Sequence, residues 1–423
     1  MKEDLETLKM LKRIFATLLA GVFLMSTVGC TQLVEDDPSE TTSEVAETTT
    51  TATEATTTAT TVTTEATTVT TEEPEPDIRT VSLLCAGDNL IHSSIYNQAH
   101  RRAKANGDED GYDFDYVYEK IECYLEDVDI AILNQETIVT DELEPSDYPN
   151  FCSPGDLGRK MVSLGFNVMS ICNNHVLDRG EEGLLATLEF WKEQEDVICY
   201  GAYESEEDMS NIRTMEVNGI TFAFLGYTEH TNGLYLPSDT ECWVIRITDA
   251  NMELIEEQVR YADSIADVVV VSVHYGTEVS NELSTLQKTF TPNLVEWGAD
   301  LIIGTQAHTV ETMEYIDKPD GGQAFVFYGL GNFVSAMADP LAMVGIIGKL
   351  EVTKNMDTGE VTIENVKAIP IITQYGYNYS NIHIEPYATY TDDLLSSHGC
   401  SGFTQDTIDK VLSYIPEEFL SIE

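Results

Sequence analysis

The run Val268-Val269-Val270-Val271-Ser272-Val273 constrains this chain most. A near-continuous β-branched stretch suits a strand buried on both faces. Such a strand belongs in a sheet covered by other layers, so the fold must be multilayered. The run ends in His274, and that ending is repeated elsewhere. Thr80 to Ala86 reads as a strand and leads to Gly87-Asp88; Val128 to Leu133 leads to Asn134-Gln135-Glu136. Phe166 to Ile171 leads to Cys172-Asn173-Asn174-His175, and Leu301 to Gly304 leads to Thr305-Gln306-Ala307-His308. Helical spacing follows or separates these runs at Tyr116 to Leu125, Leu157 to Leu164, Glu181 to Gln194, Met252 to Ile265 and Thr285 to Trp297. Strands alternating with helices define an α/β class with a largely parallel sheet.

Open α/β sheets place their ligands at the carboxyl ends of strands. Five strands here deliver Asp88, Glu136, Asn174 with His175, His274 and His308 to such ends. Each residue has a plainer reading taken alone. Asp88 suits a helix N-cap as well as a ligand, Glu136 suits a surface loop, and His274 suits a satisfied core position. Asp178 and Glu181 have relaxed capping-box spacing, which makes Asp178 a helix cap. Jointly the oxygen and nitrogen donors suit divalent Mn, Fe or Zn. They are also the donors of two-metal hydrolytic centres.

Between and beyond these runs, Arg213 to Val217 and Ile220 to Leu225 flank Asn218-Gly219, a hairpin signal. Phe151 to Pro154 reads as a loop. Thr312 to Ile316 and Ala324 to Tyr328 read as a pair, Val344 to Val352 and Val361 to Ile372 as further strands, and the last residues as polar with one helix.

The amino terminus carries a different message. Lys9, Lys12 and Arg13 precede the apolar run Ile14 to Met25, and small residues then lead to Gly29-Cys30. This is the layout of an export signal, too short for a comfortable membrane span. Lipidation at Cys30, an uncleaved anchor or plain secretion all place the rest outside the cytoplasm. A Thr- and Glu-rich tract to Pro76, without Lys or Arg before Arg79, reads as an extended tether. The expected organisation is therefore a signal at 1–30, a linker at 31–77, a catalytic-type domain at 78–345 and a carboxyl-terminal part at 346–423. The formal net charge of −52, from 74 acidic against 22 basic residues, argues against nucleic acid as a partner. Of the cysteines beyond Cys30, none forms a Cys-x-x-Cys pair, so most are expected to be free core thiols.

The ordered motifs Gly87-Asp88, Asn134-x-Glu136, Asn173-Asn174-His175-x-x-Asp178-x-Gly180, His274-x-Gly276-x-Glu278, Gly304-x-x-x-His308 and Gly331-Asn332-Phe333 resemble the CapA family. Its members are poly-γ-glutamate capsule biosynthesis proteins related to the calcineurin-like metallophosphoesterases. The resemblance implies a four-layer α/β sandwich, two mixed β-sheets flanked by helices. It implies two divalent ions: Asp88 and His308 on the first, Asn174 and His274 on the second, Glu136 bridging. His175 would be a general acid or charge stabiliser, and Glu278 belongs to the same motif set as a catalytic-site residue. Gln306 stands where the family has an imidazole, and Leu90 where the wider superfamily has one. The implied partners are an anionic surface polymer or phosphoester substrate and a membrane-bound polymer synthesis or export complex. Membrane attachment would come only through the amino-terminal anchor.

Overall fold

The computed structural model describes residues 76–319 and 321–422. The export-type segment, Cys30 and nearly all of the Thr-rich tract lie outside the described residues.

Two mixed sheets dominate. In the first, Ile78–Asn89 is central: it runs parallel to Ile130–Asn134 on one side and antiparallel to Val344–Asn355 on the other. Val168–Ser170 and Ile198–Tyr200 continue the parallel side, while Val361–Gly376 and Ser380–Pro386 continue the antiparallel side. The second sheet has the order Met313–Asp317, Gln323–Phe327, Leu301–Thr305, Val268–His274, Ile220–Thr228, Arg213–Val217. The two mixed sheets that the resemblance implies are thus present, where the alternation of strands and helices alone suggested one largely parallel central sheet. The hairpin at Asn218-Gly219 forms as read, with both turn residues at positive φ (50° and 77°).

The alternation along each strand explains the layering. In the second sheet Phe222, Phe224, Val268, Val270, Leu301 and Ile303 face the first sheet and share its core with Leu83, Ile132 and Ile347. The intervening Ala223, Val269, Val271 and Ile302 face outward, onto helices Met252–Ile265 and Thr285–Trp297. Helices Gly155–Ser163 and Gly180–Lys192 contribute Leu157, Met161, Leu184 and Trp191 to the first sheet's core. The result is the four-layer sandwich, helix–sheet–sheet–helix.

Two local readings are corrected. Residues 152–154 form a short strand beside Ile138–Thr140 rather than a loop; three residues are too few to show a period. The helix expected at Tyr116 to Leu125 splits into Asp115–Tyr118 and a 3-10 turn, Glu122–Tyr124. The strand Ser380–Pro386 and the helix Asp392–Ser397 carry no clear period, and the sequence does not announce them. All seven described cysteines are free thiols, five of them buried. Among the described residues no helix is long and apolar enough to cross a membrane.

Candidate metal centre

The central strand continues through Gly87 to Asp88, because a Cβ at Gly87 would lie 1.9 Å from the Gly331 carbonyl oxygen. Gly87 serves that close approach rather than a turn. Asp88 is no helix cap either: the next helix begins at Ser93 with His92 as its N-cap. Asp88 is fully buried and accepts a hydrogen bond from the Asn134 amide (2.7 Å). Its other oxygen meets His308 Nδ1 at 3.0 Å.

Glu136 follows the neighbouring strand and is 1% exposed. Its Oε1 lies 3.6 Å from His274 Nε2 and 3.9 Å from His308 Nε2. Neither Glu136 oxygen has a hydrogen-bond partner. Asn174, after the third strand of that row, places Oδ1 3.1 Å from His274 Nε2. From the second sheet, His274 ends its strand with Nδ1 2.8 Å from Thr305 Oγ1, the residue paired with it in register. His308 Nδ1 also approaches Asn332 Oδ1 (3.0 Å). One donor atom each from Asp88, Glu136 and His308 fall within 4.8 Å of one another.

Burial sets the electrostatics, and the neighbouring charges divide it. Burial pushes the Asp88 carboxyl up, but His308, His274 and Asn134 outweigh it and leave Asp88 below the ordinary range. Burial and the Asp88 charge together hold Glu136 well above that range. Burial drives His274 down to about 3, so it is neutral and free to ligate. His308 is raised to about 10, because Glu136 and Asp88 overcome its burial. Burying the Glu136 carboxyl beside the Asp88 charge with neither of its oxygens hydrogen-bonded is costly. A divalent ion fits: it would engage the orphaned Glu136 oxygens and the imidazole nitrogens that face them. Asp88, Glu136, Asn174, His274 and His308 are therefore brought together. Gln306 lies at the edge: its Nε2 donates to Glu278 (3.2 Å) and its buried Oε1 has no partner. Glu278 itself is exposed on the rim.

His175 stands beside the cluster. Its Nδ1 lies 2.7 Å from Asp178 Oδ2, which also accepts from the Phe151 N–H (2.6 Å). Asp178 thus orients His175 and does not cap the following helix, whose N-cap is Arg179 without a side-chain bond. Phe151 packs edge-on against His175 at 4.8 Å and against His92 at 5.1 Å. His92 Nδ1 accepts from the Ala336 N–H, so His92 acts in the wall, outside the ligand set.

Several contributors have no assigned role in the sequence reading. Asn134 and Asn332 lie inside recognised motifs, and only the structure shows what they touch. Asn232, after the strand Ile220–Thr228, accepts from the Asn174 amide (3.3 Å). Its signal is present in the sequence: that strand also ends in polar residues, Thr228-Glu229-His230.

Paired mixed sheets meeting over buried carboxylates, imidazoles and an amide define the metallophosphoesterase-like class. Within it, the chain belongs to the family described as bacterial capsule synthesis protein PGA_cap, whose model matches residues 82–337. It is similar to the capsule biosynthesis protein CapA of Bacillus anthracis, 29% identical over 53% of this chain and 54% of that protein. It is also similar to the PGA biosynthesis protein CapA of Bacillus subtilis (strain 168), 32% identical over 41% of this chain and 44% of that one. The chain thus spans about half the length of these relatives. Among solved structures it resembles one described as a novel phosphatase from Mycoplasma pneumoniae, at 12% identity and TM-score 0.41, covering 70% of this chain and 94% of that one. A hypothetical protein from Thermus thermophilus gives 16% identity and TM-score 0.37, covering 68% of this chain and 99% of that one. At those scores the fold assignment rests on this chain's own topology.

Proposed function

We propose that this chain is an extracytoplasmic, membrane-anchored protein of capsule or surface-polymer biosynthesis, with a divalent-metal-dependent hydrolase site acting on a phosphoester or polymer linkage. The observation that supports it best is Glu136, a buried carboxylate with both oxygens unpartnered between two imidazoles. In this reading Asp88 and His308 would hold one ion and Asn174 and His274 a second, with Glu136 available to both and the Gln306 oxygen as a weaker donor. Bound divalent ions supply Lewis acidity and a water that is nucleophilic near neutral pH.

The chain's own residues do the rest. Thr305 beside Nδ1 of His274 leaves Nε2 directed at Glu136 and Asn174. Asp178 holds the proton on Nδ1 of His175 and so fixes the tautomer. In the imidazolium form, with Asp178 accepting from Nδ1–H, the Nε2–H of His175 is the one that gives a proton to the leaving oxygen and leaves the Nδ1–H tautomer behind, a role that contributes about 10²–10⁴-fold. The walls of Phe151 and His92 limit water around that ring. The partners on this reading are an anionic polymer or phosphoester and a membrane-bound synthesis or export complex, with no nucleic acid.

A second reading, a non-catalytic assembly factor with a weakened site, draws support from the Gln306 amide where an imidazole binds transition metals more strongly. Metal analysis and turnover separate the two. The hydrolase reading expects bound divalent metal, loss of metal and turnover in His274→Ala, and loss of turnover with metal retained in His175→Ala. A folded chain that stays metal-free in excess Mn, Fe or Zn overturns it, and metal without turnover selects the assembly factor.

A further inference from the structure

Arg246 extends a row of residues that starts in the metal cluster. Thr305, His274 and Thr228 stand side by side at the carboxyl ends of three parallel strands. Arg246 bridges Thr228 in parallel as the next member. Strands lie about 4.8 Å apart, so the Arg246 backbone sits roughly 10 Å from that of His274. Residues paired in a parallel ladder share a face, and their chain neighbours take the other. Ile245 and Ile247 pack into the outer core beneath the helices. Arg246 therefore faces the inter-sheet side, where the cluster lies.

Its guanidinium rests on an aromatic ring, as that of Arg102 does on Tyr116. The guanidinium carbon lies 4.9 Å from the ring centroid of Tyr235, which is 70% exposed. Among the described residues no carboxylate pairs with Arg246, although acidic residues outnumber basic ones 74 to 22. The loop joining the row to Tyr235 carries Asn232, exposed and at φ 50°, whose side chain is bonded to Asn174. An unpaired guanidinium on an aromatic ring presents a flat fork of donors that fits a carboxylate or a phosphate.

We propose that Arg246, backed by Tyr235, binds an anionic group of the substrate one repeat away from the reacting linkage, so that the site takes an extended polyanion in preference to a small phosphoester. This rests on the metal-site reading for the location of the reacting linkage. The guanidinium lies on the exposed ring of Tyr235 while the cluster is buried, so the group it binds is a second one beside the reacting linkage. A polymer with a charge on each repeat supplies such a second group. Asn232, in the loop that leads to Tyr235, bonds Asn174 of the cluster and so ties that loop to the site.

The test is calorimetric binding to the full metal-loaded chain. The probes are a short γ-linked oligoglutamate and a glycerol-phosphate oligomer, each compared with its own monomer. At least one oligomer is expected to outbind its monomer, and which one identifies carboxylate or phosphate as the recognised group. Arg246→Gln should weaken that oligomer about tenfold and leave the monomer unchanged. Arg246→Lys should recover part of the loss, and Tyr235→Ala should lose less than Arg246→Gln. Melting temperatures equal to wild type show that the variants are folded. The proposal is overturned if neither oligomer outbinds its monomer, or if Arg246→Gln leaves the oligomer unchanged. Equal losses for oligomer and monomer overturn it as well. Turnover assays on the same metal-loaded chain separate the two readings: an oligomer preference that depends on Arg246, with no turnover of either probe while metal is bound, leaves the subsite standing and removes the hydrolase.

Discussion

The two sheets supply the cluster in opposite ways. Asp88, Glu136 and Asn174 come from the first sheet, bring oxygen, and have no left-handed backbone. The second sheet brings His274, Gln306 and His308, and there the backbone is distorted. Gln306 has φ 91° and His308 φ 55°. Facing them, Val279 has φ 54°, an outlier for a β-branched residue, and its N–H donates to the Ala307 carbonyl (2.7 Å). Such residues cost about 1–3 kcal/mol each and persist only where the surroundings over-determine them. The Asn281 amide donates to Thr309 Oγ1 (2.9 Å) and to the Val310 carbonyl (2.7 Å). Glu311, fully buried, accepts from the Gln287 amide. Gln287 in turn completes a capping box with Ser284 at the start of helix Thr285–Trp297. The oxygen side is thus positioned by strand register, and the imidazole side by a brace of buried amides and a carboxyl.

Variants can pull these two sides apart. The largest effect is expected at Glu136→Gln, which replaces a buried ionisable carboxyl by a neutral amide of the same shape. Chelator-treated protein should become more stable by about 1–3 kcal/mol, while metal affinity falls about 100-fold. A loss of stability in chelator would mean that the first sheet needs that carboxylate structurally.

Glu311→Gln probes the brace through pH. Burial raises the Glu311 carboxyl from 4.5 to about 8, with the Gln287 hydrogen bond opposing it. Between those values the folded state holds a proton that the unfolded state has lost. Stability from this group is therefore complete below pH 4.5 and falls as pH rises toward 8. Denaturant titrations at about pH 5 and about pH 8 should show wild type losing about 2–3 kcal/mol more than Glu311→Gln. Parallel pH curves would remove Glu311 from the brace.

Asn281→Ala should cost about 1–2 kcal/mol and weaken metal binding about tenfold, by releasing the loop that carries His308. A change in stability with unaltered metal affinity would separate the brace from the ligands. The smallest effect is expected at Gln306→His, where metal affinity should rise several-fold in equilibrium dialysis. No change would place residue 306 outside the ligand set.

The same contrast explains what is legible in the sequence. Asp88, Glu136, Asn174 and His274 are readable because each follows an apolar run that announces its strand, and parallel register then aligns the strand ends. His308 is readable for the same reason. The brace is not, because Asn281 and Glu311 sit in segments with no period, and their value comes from contacts across 28 residues and 24 residues. Asp178 misleads because a carboxylate ahead of a helix looks the same whether it caps the helix or grips a neighbouring imidazole. The second sheet cannot be separated from the first by periodicity, since buried strands of either sheet carry the same apolar signature.

The strand Val344–Asn355 has a practical consequence. It lies beyond the matched stretch, yet it pairs with the Asp88 strand from Ile78 to Ala86. A truncation after residue 337 would leave the middle of the first sheet with a long row of open backbone donors and acceptors. Open edges of that kind recruit strands from other molecules. Such a fragment should gather into insoluble assemblies, and the carboxyl-terminal ribbon thereby serves as the molecule's protection against self-association.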